Sequence, residues 1–354
     1  MKEIKKVVLV LVVLIAFAYS VNAAENFSAQ SSYDWLADQA GKDGSFGSVD
    51  KTALAIMALD AAGYDTTLSQ EWLDTQLSTS YCYPSSSCDA KSTALSVLAL
   101  TEVQDDGNFE NIGLWYQDSL TKADVSGDWY LEVVTSSAGN CVVSYDLEGT
   151  LKEITVPVDA GSFTSCDSSH FLGLDDCLQA NLISANPGII LDIDCSDLEG
   201  SVVLALVYKS SSTYYLLGNE DATMADFQIN NGCYAKSGSS TCDMETTLFS
   251  DWALNKLGST VNNLVYLKEK YDSTDAKEAA LMYFVTKDNT YLLDLADLQK
   301  SDGSFDRDHY TTALAVLAFR EGADYSTNID NAKSYLREEQ STTGWGSSVE
   351  NTAL

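Results

Sequence analysis

Few side chains in this 354-residue chain have the type and spacing to do chemistry. His170 and His309 are its two imidazoles. Neither belongs to a His-Glu-x-x-His zinc motif, and no Gly-x-Ser-x-Gly nucleophile turn occurs. His309 follows Asp308 with no Cys beside it, which suits a capping or solvent-facing residue better than a metal ligand. Eight cysteines lie between Cys82 and Cys242, none of them in a Cys-x-x-Cys pair. In an exported chain an even count points to disulfides rather than to zinc. Two spacings are short, Cys82 to Cys88 and Cys233 to Cys242, and each predicts a local loop disulfide. Cys166 with Cys177, and Cys141 with Cys195, complete the expected set. No cofactor or metal is expected.

Export is read from the N-terminus. Lys2, Lys5 and Lys6 precede an apolar run from Val7 to Phe17, and Val21-Asn22-Ala23 is a small-residue exit. Residues 1–23 therefore read as a secretory signal, with a retained N-terminal anchor as the rival. The expected location is secreted or cell-surface. Membrane contact is expected only through that segment, or through an anchor beyond Leu354. The sequon Asn26-Phe27-Ser28 offers one glycosylation point. The net charge of −32, from 52 acidic and 20 basic residues, excludes nucleic acid and anionic lipid as main partners. No acidic loop has calcium-ligand spacing, so the charge reads as a solubilising surface.

One phrase organises the chain. Thr52-Ala53-Leu54-Ala55 recurs as Thr93-Ala94-Leu95-Ser96 and Thr312-Ala313-Leu314-Ala315. Weaker copies start at Glu245 and Lys277, and a last one, Thr352-Ala353-Leu354, stops with the chain. A glycine and an aromatic precede three copies: Gly44 with Phe46, Gly303 with Phe305, and Gly344 with Trp345. The physics is that of two helices joined by a turn. Gly tolerates positive φ, the aromatic fills the space between helices, and an acid such as Asp50 or Asp89 starts the second helix. That helix is apolar nearly all round, so it must be buried, with a more polar helix outside it.

This phrase resembles the repeat of squalene and terpene cyclases, protein prenyltransferase β subunits and complement-like thioester domains. The similarity covers about residues 30–120 and 237–354. It implies a mainly α fold, an α/α toroid of helical repeats, here possibly incomplete because the last copy is cut short. In such a ring a helix start at Leu354 would lack its partner, and a longer natural chain is expected.

Between about 124 and 232 the pattern changes to alternating β-formers, as in Trp129–Val134, Cys141–Tyr145, Leu151–Val156, Ile189–Cys195, Val202–Tyr208 and Tyr214–Leu217. Short strands at this spacing predict a small β-sheet or sandwich inserted at a repeat loop. The expected domains are thus 24–123 and 233–354, helical repeats, interrupted by a β domain at 124–232.

The family's chemistry is not carried by the matching positions. Cyclases protonate an alkene with Asp-x-Asp-Asp, and this chain has Asp192-Ile193-Asp194-Cys195. Asp175-Asp176 lacks the third acid of Asp-Asp-x-x-Asp, and the thioester motif is absent. The first expectation is therefore a non-catalytic scaffold that binds a surface glycan, an apolar small molecule or another surface protein. A second is an enzyme acting on an isoprenoid or lipid, with Asp43, Asp302, Asp308 and His309 as its nearest suspects. A third is a subunit of a cell-surface assembly. An acid buried in the ring would favour the enzyme; exposed acids with paired cysteines would favour the scaffold.

Overall fold

The computed structural model describes residues 28–103, 107–147, 149–166, 170–178, 188–229, 231–259, 263–322, 324–341 and 344–354. The expected signal segment and Asn26-Phe27 of the sequon lie outside the described residues. The protein is 43% helix and 23% strand, with three antiparallel sheets, and is a mixed α/β fold. The expectation of a mainly α toroid is thus corrected. The physical reason lies in the middle of the chain. Its β-branched and aromatic runs pair over long sequence distances into two large sheets with a core of their own. The alternation of those runs predicted strands, but which strands pair, and how large the sheets become, is not a local signal.

The helices are α1 (Ala29–Asp38), α2 (Val49–Ala61), α3 (Thr67–Thr75), α4 (Ala90–Glu102), α5 (Phe109–Asp118), α6 (Leu174–Cys177) and α7 (Met244–Lys256). They continue as α8 (Leu264–Lys270), α9 (Ala276–Thr286), α10 (Asn289–Asp297), α11 (His309–Glu321), α12 (Ser326–Glu339) and α13 (Val349–Ala353). The strands are β1 (Thr121–Lys122), β2 (Asp128–Thr135), β3 (Ala138–Leu147), β4 (Thr150–Asp159), β5 (Ser162–Phe163) and β6 (Phe171–Gly173). After α6 come β7 (Ile189–Asp194), β8 (Val202–Ser210), β9 (Thr213–Glu220), β10 (Met224–Ile229) and β11 (Gly232–Cys233). The chain forms two compact units.

One local geometry starts five helices. The backbone N–H of an aromatic residue donates to a threonine hydroxyl in the first turn of the helix that follows. The pairs are Phe46–Thr52 (3.0 Å), Tyr83–Thr93 (2.9 Å), Tyr234–Thr247 (3.0 Å), Phe305–Thr312 (3.0 Å) and Trp345–Thr352 (3.1 Å). The N-cap side chains are Ser48, Asp89, Asp243, Asp308 and Ser348, each accepting from a backbone N–H three residues on. Threonine recurs because one hydroxyl can accept from the aromatic's N–H and also donate to the cap residue's carbonyl. The cap of α2 is Ser48; Asp50, two residues later, sits in the first turn.

The first unit comprises, of the described residues, 28–74, 273–283 and 288–354. Its Thr-Ala-Leu helix α2 buries Val49, Thr52 to Ile56 and Leu59, whereas α1 buries only Ser32 and Leu36. Leu36, Phe46, Ala55 and Leu59 form a cluster, against which Val349 and Ala353 of α13 pack. The last helix start therefore has a neighbour, α2. Gly44 and Gly303 sit at φ 87° and 88°, and each backs onto a carbonyl, of Leu68 and of Asn331.

The second unit comprises 75–272 and 284–287. Helices α4 and α7 pack together, with Lys91 Nζ 2.7 Å from Glu245 Oε1. The rings of Tyr116 and Tyr234 meet edge-on at 5.1 Å. Strands β1 and β11 pair, Thr121 opposite Cys233, and so bring together the two ends of the β region. Within that region one sheet has the order β10-β7-β3-β4-β5 and curls into a half-barrel. The other has the order β6-β2-β8-β9. Trp129, Leu131 and Val133 of β2 face a core shared with Val143, Leu191, Ile193 and Phe227. Met224–Ile229 adds a strand that the alternation of the sequence did not single out.

Candidate functional site

The suspected acids are occupied with local structure. Asp43 Oδ1 accepts from the N–H and hydroxyl of Ser45, at 3.2 and 2.8 Å. Asp302 does the same with Ser304, at 3.0 and 2.6 Å. Those bonds to the ionised form hold both carboxyls below the usual range, the opposite of what an acid catalyst needs. Asp308 is the N-cap of α11 and accepts from Thr311 N–H at 2.7 Å. His309 stacks on Tyr335 and keeps Nε2 3.9 Å from Glu339 Oε2. His170 Nδ1 lies 3.0 Å from the Gly161 carbonyl, as a loop tether. Asp194 accepts from Ser196 N–H at 2.9 Å, an Asx turn at the end of β7. The suspects are thus turn and cap residues. Among the described residues no group of three His, Cys, Asp or Glu is placed to hold a metal ion.

Three of the expected cysteine pairs are at bonding distance: Cys82–Cys88, Cys141–Cys195 and Cys233–Cys242. The β3–β7 register sets Val142 opposite Asp194, which brings Cys141 opposite Cys195 with Cα atoms 4.1 Å apart. The expected fourth bond is not formed. The Cys177 thiol is turned to the Cys166 carbonyl, at 3.8 Å, and the two sulfurs stay unbonded to each other. The loop pairs also differ from expectation in one respect. They replace the glycine of the turn but not its aromatic, because Tyr83 and Tyr234 take the positions of Phe46 and Phe305. Disulfides are compatible with an extracytoplasmic protein. Among the described residues no helix is long and apolar enough to cross a membrane.

Sequence reasoning missed two features. The first is Asp251, 1% exposed in α7, whose carboxyl burial pushes well above the usual range. Asn263 Nδ2 donates to its Oδ1 at 2.8 Å. The side chain is enclosed by the fold. The second is a strip of rings on the outer side of the sheet β6-β2-β8-β9. Strand β2 alternates, so Tyr130, Glu132 and Val134 point away from the core. The Tyr130 ring meets Phe171 at 5.8 Å edge-on, and Phe171 lies 5.6 Å from Tyr214 and only 22° from parallel with it. Lys209 Nζ stands 5.2 Å over the Tyr214 ring, and the nearby Tyr214 side chain raises the ammonium's affinity for its proton. Tyr214, Leu216 and Val134 are 52, 56 and 54% exposed. The register sets Lys209 between Asp128 and Tyr214 at one end of the strip, and Glu132 beside Phe171 at the other. The signal was present in the sequence: Tyr130 and Tyr214 alternate with core positions, as an outward ring must.

A cavity of about 270 Å³ lies on the other side of the same sheet, at the open flank between β9 and β10. Trp129, Leu206 and Phe227 form its apolar wall, and Glu220, Asp226 and Gln228 its polar one. Trp129 is only 2% exposed, so this space offers a ligand far less ring surface than Tyr214 does outside.

A scan of protein-family models, a search of curated proteins and a search of solved structures each found no match to this chain.

Proposed function

We propose that this protein is an exported, non-catalytic binding protein that presents the ring strip Tyr130–Phe171–Tyr214 to a glycan of a cell surface. The observation that carries the reading is Tyr214, half exposed and near-parallel with Phe171 on the outer side of the sheet. Soluble proteins bury such rings or use them in contacts. A sugar ring offers an apolar C–H face that lies flat on an aromatic face. Its equatorial hydroxyls then reach outward to polar groups, here Asp128, Glu132 and Lys209 at the two ends of the strip. The net charge of −32 argues for a neutral or cationic partner rather than a polyanion. The suspected acids Asp43, Asp302 and Asp308 are bonded to turn and cap N–H groups, which supports the scaffold over the enzyme. Helical repeats of the kind the sequence resembles would serve as the support of the β region.

The test is a glycan-array screen of the disulfide-intact protein, followed by titration of each hit against Tyr214→Ala and Phe171→Ala. An aromatic contact is worth about 1 kcal/mol, so each truncation should weaken binding about fivefold. Glycan binding that both variants retain unchanged would defeat the assignment of the strip. Binding of a protein partner with no glycan hit would defeat the assignment of the ligand.

A further inference from the structure

Four of the aromatic–threonine helix starts can be aligned on Thr52, Thr93, Thr247 and Thr312. Four residues further on they carry Ile56, Val97, Asp251 and Val316. Ile56 and Val97 are fully buried, and Val316 is half-buried. Asp251 takes the same aliphatic slot at 1% exposure. A carboxylate there needs a cation or several donors. Among the described residues it has one donor, Asn263 Nδ2, on Oδ1. Its Oδ2 has none, and neither have Asn263 Oδ1 and the Tyr234 hydroxyl, which are buried beside it. The titratable groups that face it are Tyr234, from the segment after β11, and Tyr116, from α5, which in turn feels Asp89 at the start of α4. No Lys, Arg or His pairs with Asp251 among the described residues.

With Asp251 ionised, this cluster has two acceptors, Oδ2 and Asn263 Oδ1, for the single Tyr234 proton. Protonation removes the buried charge, and with it the need for a further donor on Oδ2. We propose that Asp251 is carried in the fold as a neutral acid and that its deprotonation loosens the joint between α7 and the β sandwich. The joint is identified by what the cluster's members lead to. Asn263 stands directly before α8, whose Val265 belongs to the β core and whose Glu269 accepts from Tyr208, at 2.5 Å, and from Ser126. Tyr234 follows β11, the strand that closes the β region. A charge at Asp251 therefore strains both tethers at once. Burial raises the folded carboxyl's pKa above its unfolded value, so the contribution to stability is largest at acid pH and falls as pH rises.

The experiment compares the unfolding equilibrium of the full disulfide-intact protein with that of Asp251→Asn across pH, with Asp251→Val, the side chain of a sister helix, as the second variant. Above about pH 4 the wild-type unfolding constant should rise about tenfold per pH unit relative to either variant, until the folded carboxyl ionises. Amide exchange across Asn263–Lys270, corrected for its intrinsic pH dependence, should quicken at high pH in the wild type only. If Asp251→Asn does not fold, Asp251→Val carries the comparison. A wild-type to variant ratio that stays flat from pH 5 to 8 overturns the proposal. So does a side-chain carboxyl ¹³C titration that places Asp251 in the ordinary carboxylate range. A flat ratio with a melting temperature raised by calcium, an effect lost in Asp251→Asn, would mean a bound cation in place of the proton and overturns it too.

Discussion

Thr312→Val is the sharpest test of how the helix starts are built. Thr312 and Phe305 are both 0% exposed. The Thr312 hydroxyl accepts from Phe305 N–H at 3.0 Å and donates to the Asp308 carbonyl at 2.6 Å. Valine keeps the shape and removes both bonds. The Asp308 carbonyl still accepts from Thr312 N–H at 3.0 Å, so it loses little. Phe305 N–H is left buried without a partner, which costs about 1–3 kcal/mol. At about 2–4 °C per kcal/mol for a protein of this size, the melting temperature should drop by about 2–12 °C. Thr312→Ser is the control: it keeps the hydroxyl, loses one methyl, and should cost only about 1 kcal/mol. Differential scanning calorimetry with disulfides intact reads both. If the valine variant melts with the wild type, or above the serine variant, the hydroxyl is not what holds the turn and the reasoning fails. The same change at Thr93 should cost less, because Cys82–Cys88 also fixes the loop that presents Tyr83.

Two further outcomes follow from the geometry. Gly303→Ala should cost about 3 kcal/mol or more, since a Cβ there would sit 2.2 Å from the Asn331 carbonyl oxygen at φ 88°, whereas Gly47→Ala, at φ 91° with open space, should cost only about 1–2 kcal/mol; urea unfolding separates the two. Replacing Cys141 and Cys195 by alanine opens a loop with a sequence separation of 54, worth about 4 kcal/mol of unfolded-state entropy, and should lower the urea midpoint of the β region relative to the oxidised wild type; an unchanged midpoint refutes it.

The acid chemistry suspected at the turns and helix starts does not match the surroundings those residues have. Asp43, Asp302 and Asp308 are where the repeat needs turn and cap oxygens, and the structure finds them bonded to backbone N–H groups. A proton donor needs the opposite surroundings, and among the described residues the carboxyl that has them, Asp251, is sealed away. Its signal could have been read from the sequence by aligning the helix starts on their threonines, which sets an acid against Ile56 and Val97. What the sequence could not supply was the depth of that slot, because burial depends on which elements pack over it.

By itself the sequence determined the local events. The Thr-Ala-Leu phrases and their caps are short-range, so Ser48, Asp89 and Asp308 act within four residues of themselves. The close cysteine spacings at 82–88 and 233–242 are local in the same way. Strand alternation marked which residues of β2 face outward. The tertiary structure alone decided the fold class, since strands such as β2 and β8 find each other across some 70 residues and no local pattern encodes that pairing. It alone left Cys177 on a carbonyl instead of a sulfur, because a disulfide needs a geometry that spacing does not give. It also brought Tyr130, Phe171 and Tyr214 from three strands to one surface, because sheet register, not sequence distance, sets which side chains are neighbours.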